Sequence, residues 1–581
     1  MSKLSVDHKT IKVLFEDNKS DFLIPDYQRP YAWTDEQCQT LWDDLFAFAI
    51  PDDDFQKFDD ENAEYFLGTI VTYKNNELGK LEVIDGQQRL TTLMLLLRAF
   101  YVKLLNMQDE PTIRTRETIS QCIWKTDAFG KANLDVLKIN SEVATDNDKE
   151  EFLKILKSGD VHDEQKSNYA NNYRFFKKKI DEFVLKMPSC FAYLPNRILK
   201  NCIFLPIEAD ERDAALQIFS TLNDRGLPLS DADIFKAQFY KFYGDKGKKD
   251  NFIDEWKALE GICVEIFHPI TGTPMDELFA RYMYYVRAKQ DIKSSTTEAL
   301  RKFYEKDKYS LLKKEETFEN LKILANFWKD VAEQDIERFS DDVLKKLFVL
   351  NYAPNGMWNY FVSVYFMYNK DKEGKLNDKQ FSDFLSKITA FIWTYAVSNP
   401  GVNALRTPVY AEMMNIVNDK PVDFNESKFD MDSIRISFYN YEFKNGRPIT
   451  KSMLTWWAFN NSDQTLPKIS TVFDIEHIFP KNRQKIEKTL TDEKNLDALG
   501  NKSLLENRIN IRVTDYRFSD KIKYYKGEII NKRKAKEETQ INELINLTAS
   551  NTDFTEKDIE ERNKKIIEGF LSFVHINNLI K

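Results

Sequence analysis

The sequence predicts an α+β chain that is predominantly helical, and three observations predict this class. Near the N-terminus, two β-rich runs lie on either side of a turn at residues 75–79, which is typical of a hairpin. From about residue 110 to 460, apolar and aromatic residues recur three and four positions apart, as in amphipathic helices. Near residue 471, a short run with the character of a strand ends in the polar stretch "DIEHIFP". We therefore expect α+β structure towards both ends and helices between them.

The length and composition indicate several globular domains. A chain of 581 residues is too long for one hydrophobic core, and its 42% hydrophobic residues are ample for burial. Changes of pattern along the chain predict an N-terminal domain over residues 1–240, a helical bridging region over 241–460 and a C-terminal domain over 461–581.

The cell compartment is predicted by the cysteines and by the apolar runs. No run of about 18 apolar residues is present, so we expect no membrane span and no membrane partner. The first residues lack the basic-then-apolar build of a signal peptide. Five cysteines without a close pair argue against a disulfide framework or a thiolate metal site. These features favour a cytoplasmic protein.

The N-terminal elements follow from local signals. Thr34 is a candidate cap for a helix, and the second β-rich run ends at Asp85-Gly86 and passes directly into the helical stretch "QQRLTTLMLLLRAF". Gly86 would let the backbone approach a ligand, and the N-terminus of the following helix suits a phosphate. Arg89 and Arg29 would add charged contacts, and Asp85 would hold a metal or polarise a water. The alternative is a plain tight turn with Arg89 on the surface, and no P-loop motif is present.

Histidine 477 carries the clearest chemical signal near the C-terminus. The chain has five histidines, and this one follows Glu476 in "DIEHIFP". A phosphodiester nuclease needs a base such as His477 and a divalent cation, for which Glu476 and an asparagine carbonyl are suitable oxygen ligands. The alternative is a structural histidine with incidental asparagines nearby.

A basic segment lies just downstream. The net charge of the chain is −9, whereas residues 501–536 contain eleven basic and four acidic residues, a net +7. Such a segment would track a phosphate backbone, or it would be a solvated helix face. The predicted DNA-binding residues are Lys502, Arg508, Arg512, Lys521 and Lys523.

Three motifs of the N-terminal half resemble one family. "IPDYQRPYAW", "IDGQQRLTTL" and "ALQIFSTLNDRGLPLSDADIFKA" are similar to the N-terminal domain of GmrSD-type modification-dependent (type IV) restriction enzymes, a domain similar to the ParB/sulfiredoxin-like fold. The resemblance implies binding and hydrolysis of a nucleoside triphosphate (NTP). Matched by motif, the implied residues are Tyr27, Gln28, Arg29, Asp85, Gly86, Gln87, Gln88 and Arg89. Asn223, Arg225 and Gly226 match the third motif, and their role stays open.

The C-terminal motif resembles the ββα-metal (HNH) nuclease domain of the same enzymes. The spacing of His477, Asn501 and Asn510 carries this resemblance. It implies that His477 is the base, that Asn501 holds the loop and orients His477, and that Glu476 and Asn510 bind the metal.

Further residues match this pattern less directly. Asp474 would support the metal from outside its ligand shell, and Phe518 and Lys521 fall at the family's spacing, with Lys521 near phosphate. The last ligand position holds asparagine where histidine is usual, and Asn507 competes with Asn510 for that role.

The resemblance implies a modification-dependent DNA endonuclease of a bacterial anti-phage restriction system, gated by NTP. The expected cofactors are Mg²⁺ or Mn²⁺ and an NTP, and the expected partners are modified phage DNA and a second copy of the chain. Two alternatives stay open: a ParB-like DNA-binding regulator that does not cleave, and an HNH ribonuclease or toxin. The sequence does not select the DNA modification or the NTP.

Overall fold

The computed structural model describes most of the chain and confirms the predicted class. It describes residues 5–6, 8–16, 21–75, 78–143, 146, 148–210, 215, 230–399, 402–460, 462–528 and 536–581. The chain is 60% helical with a few small sheets, an α+β architecture dominated by helices. Contacts divide it into two compact units, Met1–Lys257 and Ala258–Lys581.

A mixed sheet organises the first unit. Among the described residues it has seven strands in the order β1-β9-β4-β5-β3-β8, with β2 also paired to β9. The β3, β5 and β8 strands run parallel to one another, as do β4 and β9, while β4 and β5 are antiparallel. The strands are β1 (Ser5–Val6), β2 (Lys9–Thr10), β3 (Phe22–Ile24), β4 (Tyr65–Asn75), β5 (Lys80–Asp85), β8 (Ile139–Ser141) and β9 (Cys202–Ala209), and the pair β6 (Trp124–Thr126) and β7 (Ala132–Leu137) lies apart from them.

The predicted strand-turn-helix is confirmed. The antiparallel pair β4 and β5 forms the predicted hairpin, and β5 ends at Asp85, one residue before the helix α3 (Gln87–Leu104). Gly86 between them has φ 92°, a left-handed conformation that glycine adopts without steric cost. The most apolar run of the sequence is therefore a buried helix, which packs against three other helices of this unit.

Among the other helices of the first unit, some pack against α3 and some against strands of the sheet. Thr34 directly precedes the helix α2, and its backbone N–H donates to the side chain of Gln37. The helices are α1 (Ile11–Glu16), α2 (Asp35–Ala49), α4 (Glu110–Ile123), α5 (Lys149–Ser158), α6 (Asn168–Lys186), α7 (Tyr193–Asn201) and α8 (Asp231–Gly244), followed by α9 (Lys249–Ile266), which contains the division between the units.

The second unit begins with helices, as the periodic apolar residues predict. Their buried faces form an aromatic-rich core, with stacked pairs such as Phe327 on Phe366. The helices are α10 (Pro274–Lys289), α11 (Leu300–Tyr309), α12 (Glu315–Ala332), α13 (Asp341–Leu350), α14 (Met357–Asn369), α15 (Asp378–Ser398), α16 (Val402–Val417), α17 (Met431–Asn440) and α18 (Pro448–Phe459).

The same unit contains the strand pair that carries the histidine motif. The β10 (Phe473–His477) and β11 (Lys502–Glu506) strands are antiparallel, and α18 packs against β11. This unit spans most of the predicted bridging region and the whole predicted C-terminal domain, and the boundary near residue 460 stays a prediction. The remaining helices are α19 (Lys481–Glu487), α20 (Asn507–Val513), α21 (Phe518–Tyr525), α22 (Asn542–Ser550) and α23 (Glu556–Ile576).

Two expectations concern the whole chain. Within the described ranges, no helix is long and apolar enough to cross a membrane. All five cysteines are buried thiols.

Candidate functional site

The candidate site in the second unit is built on two antiparallel strands followed by a helix. His477 is the last residue of β10 and pairs with Lys502, the first residue of β11. Asn501 directly precedes β11, and α20 begins at Asn507 as soon as β11 ends. The backbone therefore brings the histidine motif and the asparagine-rich segment together.

The imidazole of His477 has a buried nitrogen without a hydrogen bond. The side chain is 17% exposed, and no described residue offers a partner to its Nε2. The nearest acidic oxygen, Oδ1 of Asp497, lies 3.9 Å away, beyond hydrogen-bonding distance. Burial and then the nearby ammonium groups of Lys502 and Lys481 lower the pKa of His477 to about 3. His477 is therefore neutral at pH 7, with Nε2 available to a ligand or a water.

Asp497 is a charged neighbour of His477 that the sequence did not single out. Its Oδ1 accepts hydrogen bonds from Lys481 (2.8 Å) and Lys502 (3.0 Å). Burial opposes ionisation of Asp497, but these lysines outweigh it and bring its pKa to about 2. Asp497 lies in a loop four residues before Asn501, where no periodic pattern marks it.

Asn501 joins the two ends of the loop that follows β10. Its side chain is fully buried; Oδ1 accepts from the N–H of Phe479 (2.7 Å), and Nδ2 donates to the carbonyls of Phe479 (3.0 Å) and Leu496 (3.2 Å). The segment just after His477 is thus held by Asn501. That it orients the imidazole stays a prediction.

Glu476 is engaged in a buried ion pair. Lys521 Nζ donates to Glu476 Oε1 (2.6 Å) and to the carbonyl of His477 (2.6 Å), and the hydroxyl of Tyr525 donates to the same carboxylate oxygen (2.8 Å). Burial raises the pKa of Glu476 and lowers that of Lys521, and their pairing opposes both shifts. Tyr525 is not among the residues predicted from sequence, although it lies one helical turn after Lys521 on α21.

The predicted metal ligands do not fit a divalent cation in this arrangement. The ammonium of Lys521 already neutralises Glu476, and the Asp474 carboxylate accepts a hydrogen bond from Asn507 (2.6 Å). Asn510 is half-buried on α20. Among the described residues, no group of three or more His, Cys, Asp or Glu side chains is placed to hold a metal ion.

The predicted DNA-binding lysines differ in their placement. Lys502 is fully buried, with Nζ bonded to the carbonyl of Phe443 and to Asp497, and Lys521 is equally buried. Neither presents its ammonium group to a phosphate backbone, because both side chains pack inward and are satisfied there. Arg508 and Lys523 are exposed, and Arg512 is half-buried. Only these three of the predicted set remain on the surface.

The candidate site in the first unit lies where β5 meets α3. Arg89 donates from Nη1 to the carbonyl of Leu67 (2.9 Å), and its Nη2 lies 3.9 Å from Asp85. A Cβ on Gly68 would come within 1.8 Å of Nη1, so this glycine makes room for the guanidinium. Gly86 provides no side-chain cap, so the first N–H groups of α3 have no capping acceptor from it.

Arg29 lies near the same carboxylate. It is half-buried, and its Nε is buried without a hydrogen-bond partner among the described residues. Burial raises the pKa of Asp85, against the opposing charges of Arg89 and Arg29. Two guanidinium groups and a helix N-terminus thus surround one half-buried carboxylate, which suits an anion.

The predicted glutamines of this site bind the backbone of their own unit. Gln28 donates to the carbonyls of Val83 and Ile84, and Gln87 donates to that of Arg29. Gln88 accepts from the N–H of Ala32 and donates to the carbonyl of Pro30, while Tyr27 is buried and packs on Tyr240. Asn223, Arg225 and Gly226 lie outside the described residues.

Comparison with known proteins gives two family matches. The family model described as GmrSD restriction endonuclease, N-terminal domain, matches residues 11–240, and that of the C-terminal domain matches residues 423–568. The chain belongs to the GmrSD restriction endonuclease family. The GmrSD N-terminal match contains the β5-to-α3 site, and the GmrSD C-terminal match contains His477, Asn501 and Lys521.

One similar protein matches less than half of the chain. An uncharacterized protein of Methanocaldococcus jannaschii is 24% identical over 251 residues, which is 39% of this GmrSD-family chain. The match spans 40% of the length of that relative.

Proposed function

We propose that this chain is a modification-dependent DNA endonuclease in which His477 activates the water that hydrolyses a phosphodiester. The buried Nε2 of His477 carries the proposal. A buried polar atom without a partner costs free energy unless it serves a ligand, and a neutral imidazole is the form that accepts a proton. Family membership supports DNA as the substrate.

In the proposed reaction, Nε2 of His477 takes a proton from a water molecule while the oxygen of that water attacks the phosphorus atom. A new P–O bond forms, the bond to the leaving sugar oxygen breaks, and that oxygen takes up a proton from solvent. The negative phosphate raises the low pKa of His477 towards its usual range, so the bound substrate itself makes the imidazole a better base. Lys521 holds the backbone carbonyl of His477, and Asn501 holds the N–H of Phe479 two residues later.

The test compares two histidines of the same unit. His477→Ala is expected to lower the rate of plasmid nicking by about 10² to 10⁴. His575→Ala, an exposed histidine near the end of α23, should nick at the wild-type rate. Near-wild-type nicking by His477→Ala would overturn the assignment, and a wild-type protein that retards DNA without nicking it would be a binding regulator instead.

The metal requirement is a separate part of the proposal. The resemblance implies Mg²⁺ or Mn²⁺, but a cation could bind the Glu476 carboxylate only after Lys521 moves away from it. Nicking measured with EDTA and with each added cation tests this requirement. Full nicking in EDTA would show that the family's cation is dispensable here.

Gating by NTP is the remaining part. Arg29, Arg89 and the N-terminus of α3 are suited to bind a triphosphate, because no described residue accepts from Nε of Arg29 and Gly86 offers the helix no side-chain cap. A nucleotide there would act on the nuclease only if it binds one state of the protein more tightly than another. Cleavage of matched modified and unmodified phage DNA, with and without NTP, tests gating and modification dependence together.

A further inference from the structure

A pair of stacked tyrosines lies beside the candidate nuclease site. Tyr516, in the short segment between α20 and α21, is 45% exposed, and its ring stacks on that of Tyr524. The ring centroids are 5.4 Å apart and the planes differ by 12°. Tyr524 supports one face of Tyr516, while a large part of Tyr516 remains open to solvent.

The segment that presents Tyr516 is held in place. Asp515 Oδ2 accepts a hydrogen bond from Nδ2 of Asn482 (2.5 Å), which joins this segment to α19 just after the histidine motif. Thr514 has φ 43° and ψ −133°, a conformation that β-branched residues rarely adopt. Such a backbone persists only where its surroundings enforce it, and it is enriched at ligand sites.

The surface around the tyrosines is basic. Arg508, Ile511 and Arg512 follow one another at helical spacing on α20, and Ile511 is 67% exposed. Between residues 507 and 526 the basic residues outside the core are Arg508, Arg512, Arg517, Lys523 and Lys526, against the acidic Asp515 and Asp520. The local charge is therefore complementary to a nucleic-acid strand.

We propose that Tyr516, supported by Tyr524 and flanked by Arg508 and Arg512, is a stacking platform for an unpaired or extruded base of the DNA substrate. Stacking on an aromatic face accepts any base, and the arginines contact the adjoining phosphates. The inference rests on the proposed function and specifies which form of DNA the site binds.

The tyrosine platform is connected to His477 through the helix α21. Tyr516 lies two residues before the start of α21 at Phe518, and Lys521 of that helix donates to the carbonyl of His477. A base held on Tyr516 therefore places its strand on the element that contacts the backbone of the proposed catalytic residue. Distortion of the duplex at this point would expose the phosphodiester to attack.

The test compares two fluorescein-labelled DNA duplexes that differ by one unpaired adenine. By fluorescence anisotropy, the full-length wild-type protein is expected to bind the bulged duplex about fivefold to a hundredfold more tightly than the perfect one. Tyr516→Ala should lose this preference, while Tyr516→Phe should keep it because the ring remains. Tyr439→Ala is the matched control, since Tyr439 is 44% exposed in the same unit.

The outcomes separate this inference from the proposed function. A Tyr516→Ala variant that keeps the preference, or a wild-type protein that nicks plasmid but binds both duplexes equally, overturns the platform and leaves the nuclease intact. A wild-type protein that binds neither duplex at low salt overturns both proposals. Loss of the preference in Tyr439→Ala as well would also overturn the platform.

Discussion

The sequence contains two clusters of polar residues that suggest function, and the fold uses them differently. In the cluster before α3, the side chains of Gln28, Gln87 and Gln88 all bond to backbone groups of their own unit. In the cluster at the end of β10, Nε2 of His477 is buried without a partner among the described residues, and in the cluster before α3 the same holds for Nε of Arg29. The comparison teaches that polar density alone does not identify the side chain left for a ligand, because most of the polar groups already bond to the protein.

The electrostatic surroundings of the clusters are similar. Asp85 faces Arg29 and Arg89, and Asp497 faces Lys481 and Lys502. Each cluster thus has two cations around one carboxylate, and a bound phosphate would find positive charge at either. The clusters differ in the group next to the carboxylate. Beside Asp497 it is the titratable imidazole of His477, and beside Asp85 it is the N-terminus of α3.

The largest expected effect tests the structural part of the second cluster. Lys521→Met leaves the Glu476 carboxylate buried without its partner and should lower the free energy of unfolding by about 3–5 kcal/mol. The double variant Lys521→Met/Glu476→Leu should regain most of this loss, because no buried charge remains. Urea denaturation followed by circular dichroism measures both effects.

An exposed lysine of the same helix is the control. Lys523→Met removes a surface pair with Asp520 and should change the stability by no more than about 1 kcal/mol. If Lys521→Met lowered the free energy of unfolding as little as Lys523→Met does, the buried pair of Lys521 and Glu476 would contribute nothing to stability. Stabilisation of Lys521→Met by Mn²⁺, absent from the double variant, would show that a cation takes the place of the ammonium at Glu476.

The second prediction tests which side chains of the first cluster bind a ligand. Arg29→Ala and Arg89→Ala should weaken NTP binding about tenfold to a hundredfold, because each removes a charged hydrogen bond to phosphate. Their hydrolysis and the response of cleavage to NTP should fall, while basal nicking survives. Isothermal titration with ATP and GTP, in parallel with plasmid nicking, measures this.

Two matched variants sharpen this result. Gln88→Ala should lower the unfolding free energy by about 1–3 kcal/mol, since the N–H of Ala32 loses its acceptor, with little change in NTP affinity. Arg114→Ala, at an exposed arginine of the same unit, should change neither quantity. Normal NTP hydrolysis by Arg89→Ala would mean that the turn is purely structural.

The smallest effect separates the exposed basic residues from the buried ones. Arg508→Ala should weaken binding to all DNA sequences alike and reduce the slope of log affinity against log salt by about one. Lys502→Ala should instead act through stability, because its ammonium is buried against Asp497. Lys557→Ala, at an exposed lysine on α23, is the control. A salt slope that is the same in Arg508→Ala and wild type would exclude Arg508 from the phosphate contacts.

Several features followed from sequence because they depend on neighbours along the chain. The hairpin of β4 and β5, the glycine turn at Gly86 and the long helix α3 are set by alternation, by backbone freedom and by apolar periodicity. The sequence also predicted the position of His477 at the end of a strand. Local conformation depends on residues that lie only a few positions apart, so the sequence alone can predict it.

Only the tertiary structure decided what each polar side chain does. Lys502 and Lys521 look like surface cations in a basic segment, yet both are buried. Lys502 bonds to Asp497 and to the distant carbonyl of Phe443, and Lys521 bonds to Glu476 on another strand. Glu476 looks like a free ligand, and the contact with Lys521 appears only when α21 packs against β10. Sequence alone determined the class of elements and the motifs of the GmrSD family. The partner of a charged side chain depends on how the chain packs in three dimensions, and the composition does not show this.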